Sequence, residues 1–232
     1  MKRKARKDLN STKQRSLITH LDPKSPISEQ YRTIRTNIEF SLADRELKTL
    51  VVTSSGPSEG KSMTTANLAV VMAQQGKRVL LIDADMRKPT VHYTFRLNNT
   101  FGLTNLLTKQ ARLPEVVRKS DVDHLYIITS GPIPPNPAEL LGSKAMREFL
   151  NDVYDRFDVI LFDSPPVLAV TDAQILSSFC DGTVLVVASG QTEREAAIEA
   201  RDLLQKANAR LLGVVLNRKP MREGRYYYYY GH

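Results

Sequence analysis

A lysine and a serine at the end of a small-residue loop are the side chains with the clearest potential for chemistry. Residues 49–62 (TLVVTSSGPSEGKS) place Gly60, Lys61 and Ser62 after a short apolar run, and a helical pattern follows. A loop between a strand and a helix directs backbone N–H groups at one point, and the helix dipole favours anions there. The spacing is typical of a phosphate-binding loop, in which Lys61 reaches the β- and γ-phosphates of a nucleotide and Ser62 binds Mg²⁺.

The loop departs from the standard spacing at its first glycine. That glycine would fall at position 55, which is Ser55 here, and the glycine comes one residue later, at Gly56. The strand before the loop and the helix after it still favour nucleotide binding over a chance tripeptide. The residues predicted to contact the nucleotide are Gly56, Pro57, Ser58, Glu59, Gly60, Lys61, Ser62 and Met63.

Aspartates end two other apolar segments that are typical of buried strands. Residues 80–87 have the sequence LLIDADMR, and residues 159–166 have the sequence VILFDSPP. Ligands of an open parallel sheet bind beyond the carboxyl ends of its strands, so Asp83, Asp85 and Asp163 are expected beside the phosphate loop. A single strand-end aspartate is equally well explained as a helix cap or a turn residue. Three of them at one edge favour a Mg²⁺–nucleotide site, because Mg²⁺ prefers hard oxygen ligands.

The rest of the chain alternates between apolar strands and helical patterns. The strands lack the polar–apolar alternation of a half-exposed sheet, so both faces of the sheet must be covered. The pattern predicts an α/β fold with a mostly parallel sheet and helices on both faces. Residues 114–119 are predicted as a short helix, and residues 131–137, which include four prolines, as a stiff loop.

The net charge of +8 is concentrated at the N-terminus, where the first 20 residues include seven basic residues and one acidic residue. We therefore expect a basic, flexible tail over residues 1–24, one domain over residues 25–220 and a flexible tail over residues 221–232. The basic tail is either simply solvated or attracted to an anionic membrane surface. Nucleic acid is not expected as a partner, because the body of the chain does not interleave aromatic and basic residues.

The composition, with 41% hydrophobic and 25% charged residues among 232, is that of an ordinary globular protein. No apolar run approaches the roughly 20 residues of a membrane-spanning helix. No apolar segment follows the basic N-terminus, so a secretory signal is not expected. Cys180 is the single cysteine, which excludes an internal disulfide and fits a reducing cytosol.

Two further patterns have both an ordinary and a functional interpretation. A helix is expected from Ser25, and it carries Glu29, Arg32 and Arg35 with the spacing E-x-x-R-x-x-R. By itself this spacing indicates a solvated face with a local ion pair. Near the C-terminus, five consecutive tyrosines form a binding patch, an aggregation-prone segment or a row of acceptor hydroxyls, and these are Tyr226, Tyr227, Tyr228, Tyr229 and Tyr230.

Together, these motifs resemble those of the bacterial tyrosine kinases of the polysaccharide co-polymerase type, over residues 25–232. The variant Walker A, Walker A′ and Walker B motifs of that family correspond to residues 55–62, 80–87 and 159–166, and its E-x-x-R-x-x-R motif and tyrosine cluster are present. The resemblance implies a P-loop NTPase fold similar to that of the MinD and ParA ATPases. It also implies an ATP- and Mg²⁺-dependent protein-tyrosine kinase.

The resemblance assigns catalytic roles to Lys61, Asp83, Asp85 and Asp163. Asp83 would take the proton of the attacking tyrosine, although the residues alone leave a role as a metal ligand equally open. Asp85 and Asp163 would hold Mg²⁺ with Ser62, and Lys61 would offset charge on the transferring phosphate. By similarity to the related ATPases, Asn217 would contact the adenine. For Arg87, a phosphate contact and a pair with an aspartate both remain open.

The family also implies partners. The chain would form a homo-oligomeric ring in which Glu29 of one subunit faces Arg32 and Arg35 of another, and phosphate would pass between subunits to Tyr226–Tyr230. A separate transmembrane activator protein, protein-tyrosine substrates and an opposing tyrosine phosphatase would complete the system. It would lie in the cytoplasm at the inner face of the cell membrane and regulate capsule or exopolysaccharide synthesis.

Two alternatives belong to other functional classes. A MinD- or ParA-like ATPase switch that controls surface positioning would carry a lysine five residues before Lys61, where this chain has Gly56. Such switches also lack a terminal run of tyrosines. A catalytically idle scaffold is disfavoured because the lysine, the serine and all three aspartates are present.

Overall fold

Seven strands form one sheet in the part of the chain that the computed structural model describes, residues 17–42 and 46–220. Their order across the sheet is β3-β4-β2-β5-β1-β6-β7, and every pair is parallel except β3 with β4. The strands are β1 Thr49–Ser54, β2 Val79–Asp83, β3 Val117–Lys119, β4 Leu125–Ile128, β5 Val159–Asp163, β6 Gly182–Ala188 and β7 Leu211–Asn217.

Helices cover both faces of this sheet, which confirms the predicted α/β fold. Leu50 and Val52 of β1 pack in a cluster with α2 and α3, whereas Val51 points into a second cluster with α5, α8 and α9. Burial on both faces explains why the central strands show no alternation. The helices are α1 Ile18–Leu21, α2 Pro26–Phe40, α3 Lys61–Ala73, α4 Val91–Phe95, α5 Leu103–Leu107, α6 Leu113–Val116, α7 Pro137–Leu141, α8 Lys144–Tyr154, α9 Asp172–Ser177 and α10 Arg194–Lys206.

Two local predictions need correction. Residues 114–119 are not one helix: α6 ends at Val116, and the next three residues form β3, which pairs antiparallel with β4. Short, charged strands of this kind are typical of sheet edges. The proline-rich loop ends one residue early, because Pro137 begins α7. Proline suits the first turn of a helix, where its missing N–H is not needed.

The predicted boundary of the N-terminal tail at residue 24 is also wrong, because α1 packs on the domain. Thr19 is fully buried. Its hydroxyl and its backbone N–H donate to Asn67 Oδ1 over 2.9 Å and 3.1 Å, and Gln74 donates to its carbonyl over 3.0 Å. Residues 17–24 therefore belong to the domain. Residues 1–16 and the predicted tyrosine tail lie outside the described residues.

Among the described residues, no helix has the length and apolar character needed to cross a membrane.

Candidate functional site

The loop between β1 and α3 has the geometry of a phosphate-binding loop. It ends at Gly60, which has a φ of +94°, and α3 begins at Lys61. A side chain at position 60 would place its Cβ 2.1 Å from Nδ2 of Asn217, so this position requires glycine for two independent reasons. The backbone at the start of α3 is thereby free to present its N–H groups to an anion.

Lys61 lies at the centre of a cluster of acidic side chains. Its Nζ is 2.9 Å from Oδ2 of Asp85, 3.2 Å from Oδ1 of Asp163 and 3.2 Å from Oγ of Ser62. The sheet order explains the cluster, since β5 lies between β2 and β1 and all three carboxyl ends meet. The structure thus brings together the lysine, the serine and two of the predicted aspartates.

Asp83, the third predicted aspartate, is fully buried beside this cluster. Its Oδ2 accepts the N–H groups of Thr90 and Val91, each over 2.9 Å, and its Oδ1 accepts the N–H of Asp85 over 3.3 Å. It lies opposite Asp163 in the register of β2 and β5. The backbone N–H groups that follow β2 therefore fix the direction of the Asp83 carboxyl group.

Burial and mutual repulsion shift the acid strengths in the cluster. Burial and then the charge of Asp163 raise the pKa of Asp83 to about 8. Burial also raises the pKa of Asp163, although the Lys61 charge opposes that change. For Lys61, burial acts to lower the pKa, but the charges of Asp163 and Asp85 outweigh it and the pKa is raised. One ammonium group thus faces three carboxyl groups, and the site favours an additional cation.

The chemistry of the donor atoms fits Mg²⁺. Oδ2 of Asp163 is buried and has no hydrogen-bond partner among the described residues. The hydroxyl of Ser62 and the carboxylate of Asp85 are further oxygen donors around the same lysine. No group of three or more acidic, histidine or cysteine side chains in the described ranges forms a complete metal site. That is compatible with Mg²⁺, which usually takes one or two carboxylates and completes its shell with water and phosphate oxygens.

Asn217, at the end of β7, lies against the phosphate loop. Its Nδ2 donates to the carbonyl of Glu59 over 2.9 Å. The next residue, Arg218, donates from its guanidinium to the carbonyl of Ser58 over 2.7 Å. The last strand therefore reaches the same edge of the sheet as Lys61. Arg218 was not among the predicted site residues, although it directly follows Asn217 in the sequence.

The remaining loop residues contribute mainly backbone atoms. The carbonyl of Gly56 accepts from the hydroxyl of Ser54, and the carbonyl of Met63 accepts from the side chain of Asn67, both over 2.8 Å. The carboxylate of Glu59 turns to Ser55 and Thr192. Thr192, which lies in the turn after β6, was not among the predicted site residues.

Arg87 pairs with an aspartate in this structure. Its Nε and Nη2 each lie 3.0 Å from a different carboxylate oxygen of Asp172, which is buried at the start of α9. Two parallel hydrogen bonds of this kind are geometrically specific. Of the two interpretations left open by the sequence, the structure shows the ion pair.

The E-x-x-R-x-x-R residues make contacts within one chain. Arg32 pairs with Glu29 one turn away and donates to the carbonyl of Pro23 over 2.7 Å, while Arg35 donates to the carbonyl of Val71 over 2.8 Å. These contacts match the local ion pair that the spacing alone indicates. A role of the same residues between subunits stays a prediction.

Comparisons with known proteins agree with this architecture. A family model described as an AAA domain matches residues 47–208. The chain is 54% identical to tyrosine-protein kinase YwqD of Bacillus subtilis (strain 168), covering 97% of this chain and 95% of that protein. It is 43% identical to the putative tyrosine-protein kinase CapB of Staphylococcus aureus, covering 93% of this chain and 95% of that protein.

Comparisons with solved structures also find proteins with a similar fold. The crystal structure of the chimerical protein CapA2B2 superposes with a TM-score of 0.86 at 43% identity, covering 88% of this chain and 90% of that one. The septum site-determining protein MinD of Pyrococcus horikoshii OT3, complexed with Mg-ADP, superposes with a TM-score of 0.64 at 22% identity, covering 76% of this chain and 72% of that one. The likeness to MinD shows a shared fold alone and gives no support to the positioning switch.

Proposed function

The chain belongs to the family of bacterial tyrosine-protein kinases, and from that premise we propose that it uses ATP and Mg²⁺ to phosphorylate its own C-terminal tyrosines between subunits. The observation that carries this proposal is the position of Lys61. Its ammonium group lies between Asp85 and Asp163 at the end of a phosphate-binding loop, with the carboxyl group of Asp83 buried beside it. This arrangement can hold a polyphosphate and accept a proton at one edge of the sheet.

In the proposed reaction, the tyrosine oxygen attacks the γ-phosphorus of ATP. A bond forms between that oxygen and phosphorus, the bond to the bridging oxygen breaks, and ADP leaves with the electron pair. Because tyrosine has a pKa near 10, its proton must leave during the attack. Oδ1 of Asp83 would take it in the ionised form of this carboxyl group, which the charge of bound Mg²⁺ would favour at neutral pH, since Oδ2 already accepts two short backbone hydrogen bonds.

The other residues bind and orient the nucleotide. The backbone of residues 56–63 surrounds the phosphates, Lys61 offsets charge on the transferred phosphoryl group, and Asn217 contacts the adenine. Ser62, Asp85 and Asp163 would hold Mg²⁺, which when bound neutralises charge on the phosphate oxygens. The orphaned Oδ2 atom of Asp163 supports this assignment.

The proposal extends to the assembly. A ring forms head to tail, with Glu29 of one subunit against Arg32 and Arg35 of its neighbour. The side chain of Glu29 is 54% exposed, so it is accessible to a second chain although it pairs locally here. Tyr226–Tyr230 of one subunit then enter the site of the next.

The cellular role rests on the family resemblance. The kinase regulates capsule or exopolysaccharide synthesis from the inner face of the cell membrane. A separate transmembrane protein activates it, other proteins are also substrates, and a tyrosine phosphatase reverses the reaction.

Intact-mass analysis after incubation with Mg²⁺-ATP tests the function. We expect the full chain to gain several phosphates, and peptide mapping to place them on Tyr226–Tyr230. Lys61→Ala should gain none, because the transferred phosphoryl group loses its cation. If the wild type gains no mass, the measurement is repeated with the cytoplasmic part of the membrane activator. ADP release without added mass, with and without that activator, would contradict the kinase and support an ATPase switch.

Phosphorylation should also loosen the ring. Each phosphate adds about −1.5 to −2 charges at neutral pH, so several on one tail repel each other and the acidic site of the neighbour. We expect light scattering to give a ring mass for the unmodified protein and a smaller mass for the fully phosphorylated protein. Phosphatase treatment should restore the larger mass, whereas equal masses before and after phosphorylation would contradict this prediction.

A further inference from the structure

The carboxylate of Glu59 accepts hydrogen bonds that connect the two ends of the phosphate-binding loop. Its Oε2 accepts the N–H of Ser55 over 3.0 Å, and both of its oxygens lie within 3.1 Å of the Ser55 hydroxyl. Its Oε1 also accepts the hydroxyl of Thr192 over 2.7 Å. Glu59 is only 7% exposed, so these hydrogen bonds are largely withdrawn from water.

Thr192 connects this carboxylate to the neighbouring strand. Its hydroxyl accepts the N–H of Ala188, the last residue of β6, over 2.8 Å while donating to Glu59. Because β6 pairs with β1, the strand from which the loop begins, the threonine links the end of the loop to the sheet. The Thr192 hydroxyl thus makes one hydrogen bond to the end of β6 and one to the loop.

These contacts account for the unusual start of the loop. Ser55 stands where the standard motif has glycine, and both its N–H and its hydroxyl are bound by Glu59. The contacts also fix the direction of the Glu59 carboxylate, which accepts hydrogen bonds from Ser55 and Thr192.

We propose that Thr192 and Glu59 are positioning residues that hold the phosphate-binding loop in the shape that receives the nucleotide. The inference rests on the proposed function, since it concerns the same nucleotide site. Neither side chain touches the reacting atoms in this scheme. They act through the backbone of the loop, so they govern nucleotide affinity rather than the chemical step.

The test compares Thr192→Val with Thr192→Ser in the full-length chain. Valine keeps the shape of threonine but removes the hydroxyl, whereas serine retains it. We expect calorimetric titration with MgADP to show affinity lowered about tenfold for Thr192→Val and nearly unchanged for Thr192→Ser, because without these hydrogen bonds only about a tenth of the molecules would hold the loop in its binding shape. The KM for ATP should rise by a similar factor, and kcat at saturating ATP should stay within about twofold.

A second variant separates positioning from general stability. Glu59→Gln keeps the size of the side chain and should lower MgADP affinity similarly, and the double variant with Thr192→Val should lower it little further, because both changes break one connection. Thr108→Val is the matched control, since its hydroxyl donates to the carbonyls of Thr104 and Asn105 in α5, the helix that Thr108 directly follows.

The outcomes distinguish this inference from the proposed function. If the wild type neither binds MgADP nor phosphorylates itself, with or without its activator, the proposed function fails. If the wild type binds and Thr192→Val binds equally well, the positioning role is overturned, even when the variant melts at a lower temperature. A fall in kcat with unchanged KM would overturn it as well.

Discussion

Asp83→Asn should resist unfolding better than the wild type at pH 8 in EDTA and yet transfer almost no phosphate. The wild-type carboxyl is fully buried, and burial together with Asp163 raises its pKa to about 8. An asparagine of the same shape carries no charge to be buried or repelled. It keeps an acceptor for the N–H groups of Thr90 and Val91 and loses only the long hydrogen bond from Asp85.

The pH dependence has a definite sign. In the unfolded chain Asp83 ionises near pH 4, whereas in the folded, metal-free protein it keeps its proton until about pH 8. The unfolded state therefore binds fewer protons across this window, and the stability of the wild type falls as the pH rises through it. Asp83→Asn has no carboxyl group to ionise and so does not lose this stability. The difference in stability between the variant and the wild type should therefore grow from about pH 4 to about pH 8 and then level off.

Thermal unfolding across this pH range checks the prediction. At pH 8 the variant should melt roughly 5 °C or more above the wild type, which corresponds to a few kcal/mol for a chain of this size. The matched control is Asp158→Asn, at the opposite end of β5. The pKa of Asp158 is lowered because it accepts hydrogen bonds from the side chain and backbone of Arg78, so removing its charge should destabilise the protein at neutral pH. A parallel pH profile for Asp83→Asn and wild type would contradict the prediction.

Kinetics of the same variant distinguish the two roles left open for Asp83. If Asp83 is the base, Asp83→Asn should bind MgADP normally and lose roughly 10²- to 10⁴-fold in kcat. If it is a metal ligand, the variant should instead need more Mg²⁺, and high Mg²⁺ should restore part of the rate. We expect the first result, because two backbone N–H groups already occupy one of its oxygens.

The centre of the site was predictable because local patterns determine it. A strand that ends in aspartate beside a strand–loop–helix motif can place its carboxyl at only one edge of a parallel sheet, and the structure puts Lys61, Asp85 and Asp163 there. The mostly parallel direction of the strands was also predictable from local patterns, because helices alternate with strands along the chain. Strand β3 was not, since its three residues form a strand only because β4 offers a free edge.

The contacts around the centre were not predictable because tertiary structure creates them. Thr192 lies 133 residues from Glu59 in sequence, and they meet only because β6 lies next to β1. Similarly, four residues of α1 carry no pattern of their own, and Thr19 is buried because Asn67 of α3 has a matching amide. In both pairs, Thr192 with Glu59 and Thr19 with Asn67, no local sequence pattern indicates which residue the threonine will contact.

An inactive chain that keeps its C-terminal tyrosines should receive phosphate from an active chain that lacks them. The first is Lys61→Ala with Tyr226–Tyr230 intact, and the second has all five tyrosines changed to phenylalanine. We expect neither protein alone to gain phosphate on the tail and the mixture to gain it on the Lys61→Ala chain. Intact mass separates the two chains, so the acceptor is identified directly. A mixture without added phosphate, when the wild type is active, would show that each tail reacts in its own site.

A charge reversal at the exposed Glu29 tests whether this transfer depends on the proposed ring. In that ring, adding Glu29→Lys to both chains would place like charges against Arg32 and Arg35 of the neighbour, so transfer in the mixture should fall at least about tenfold. Glu148→Lys is the matched control, because Glu148 is also a half-exposed helical glutamate in a local ion pair, with Lys144. If both substitutions reduce transfer equally, the effect is one of charge or stability in general. If only Glu29→Lys does so, and wild-type transfer is lost on dilution together with the ring mass, the helix that carries Glu29 controls access of one subunit's tyrosines to the next subunit's site.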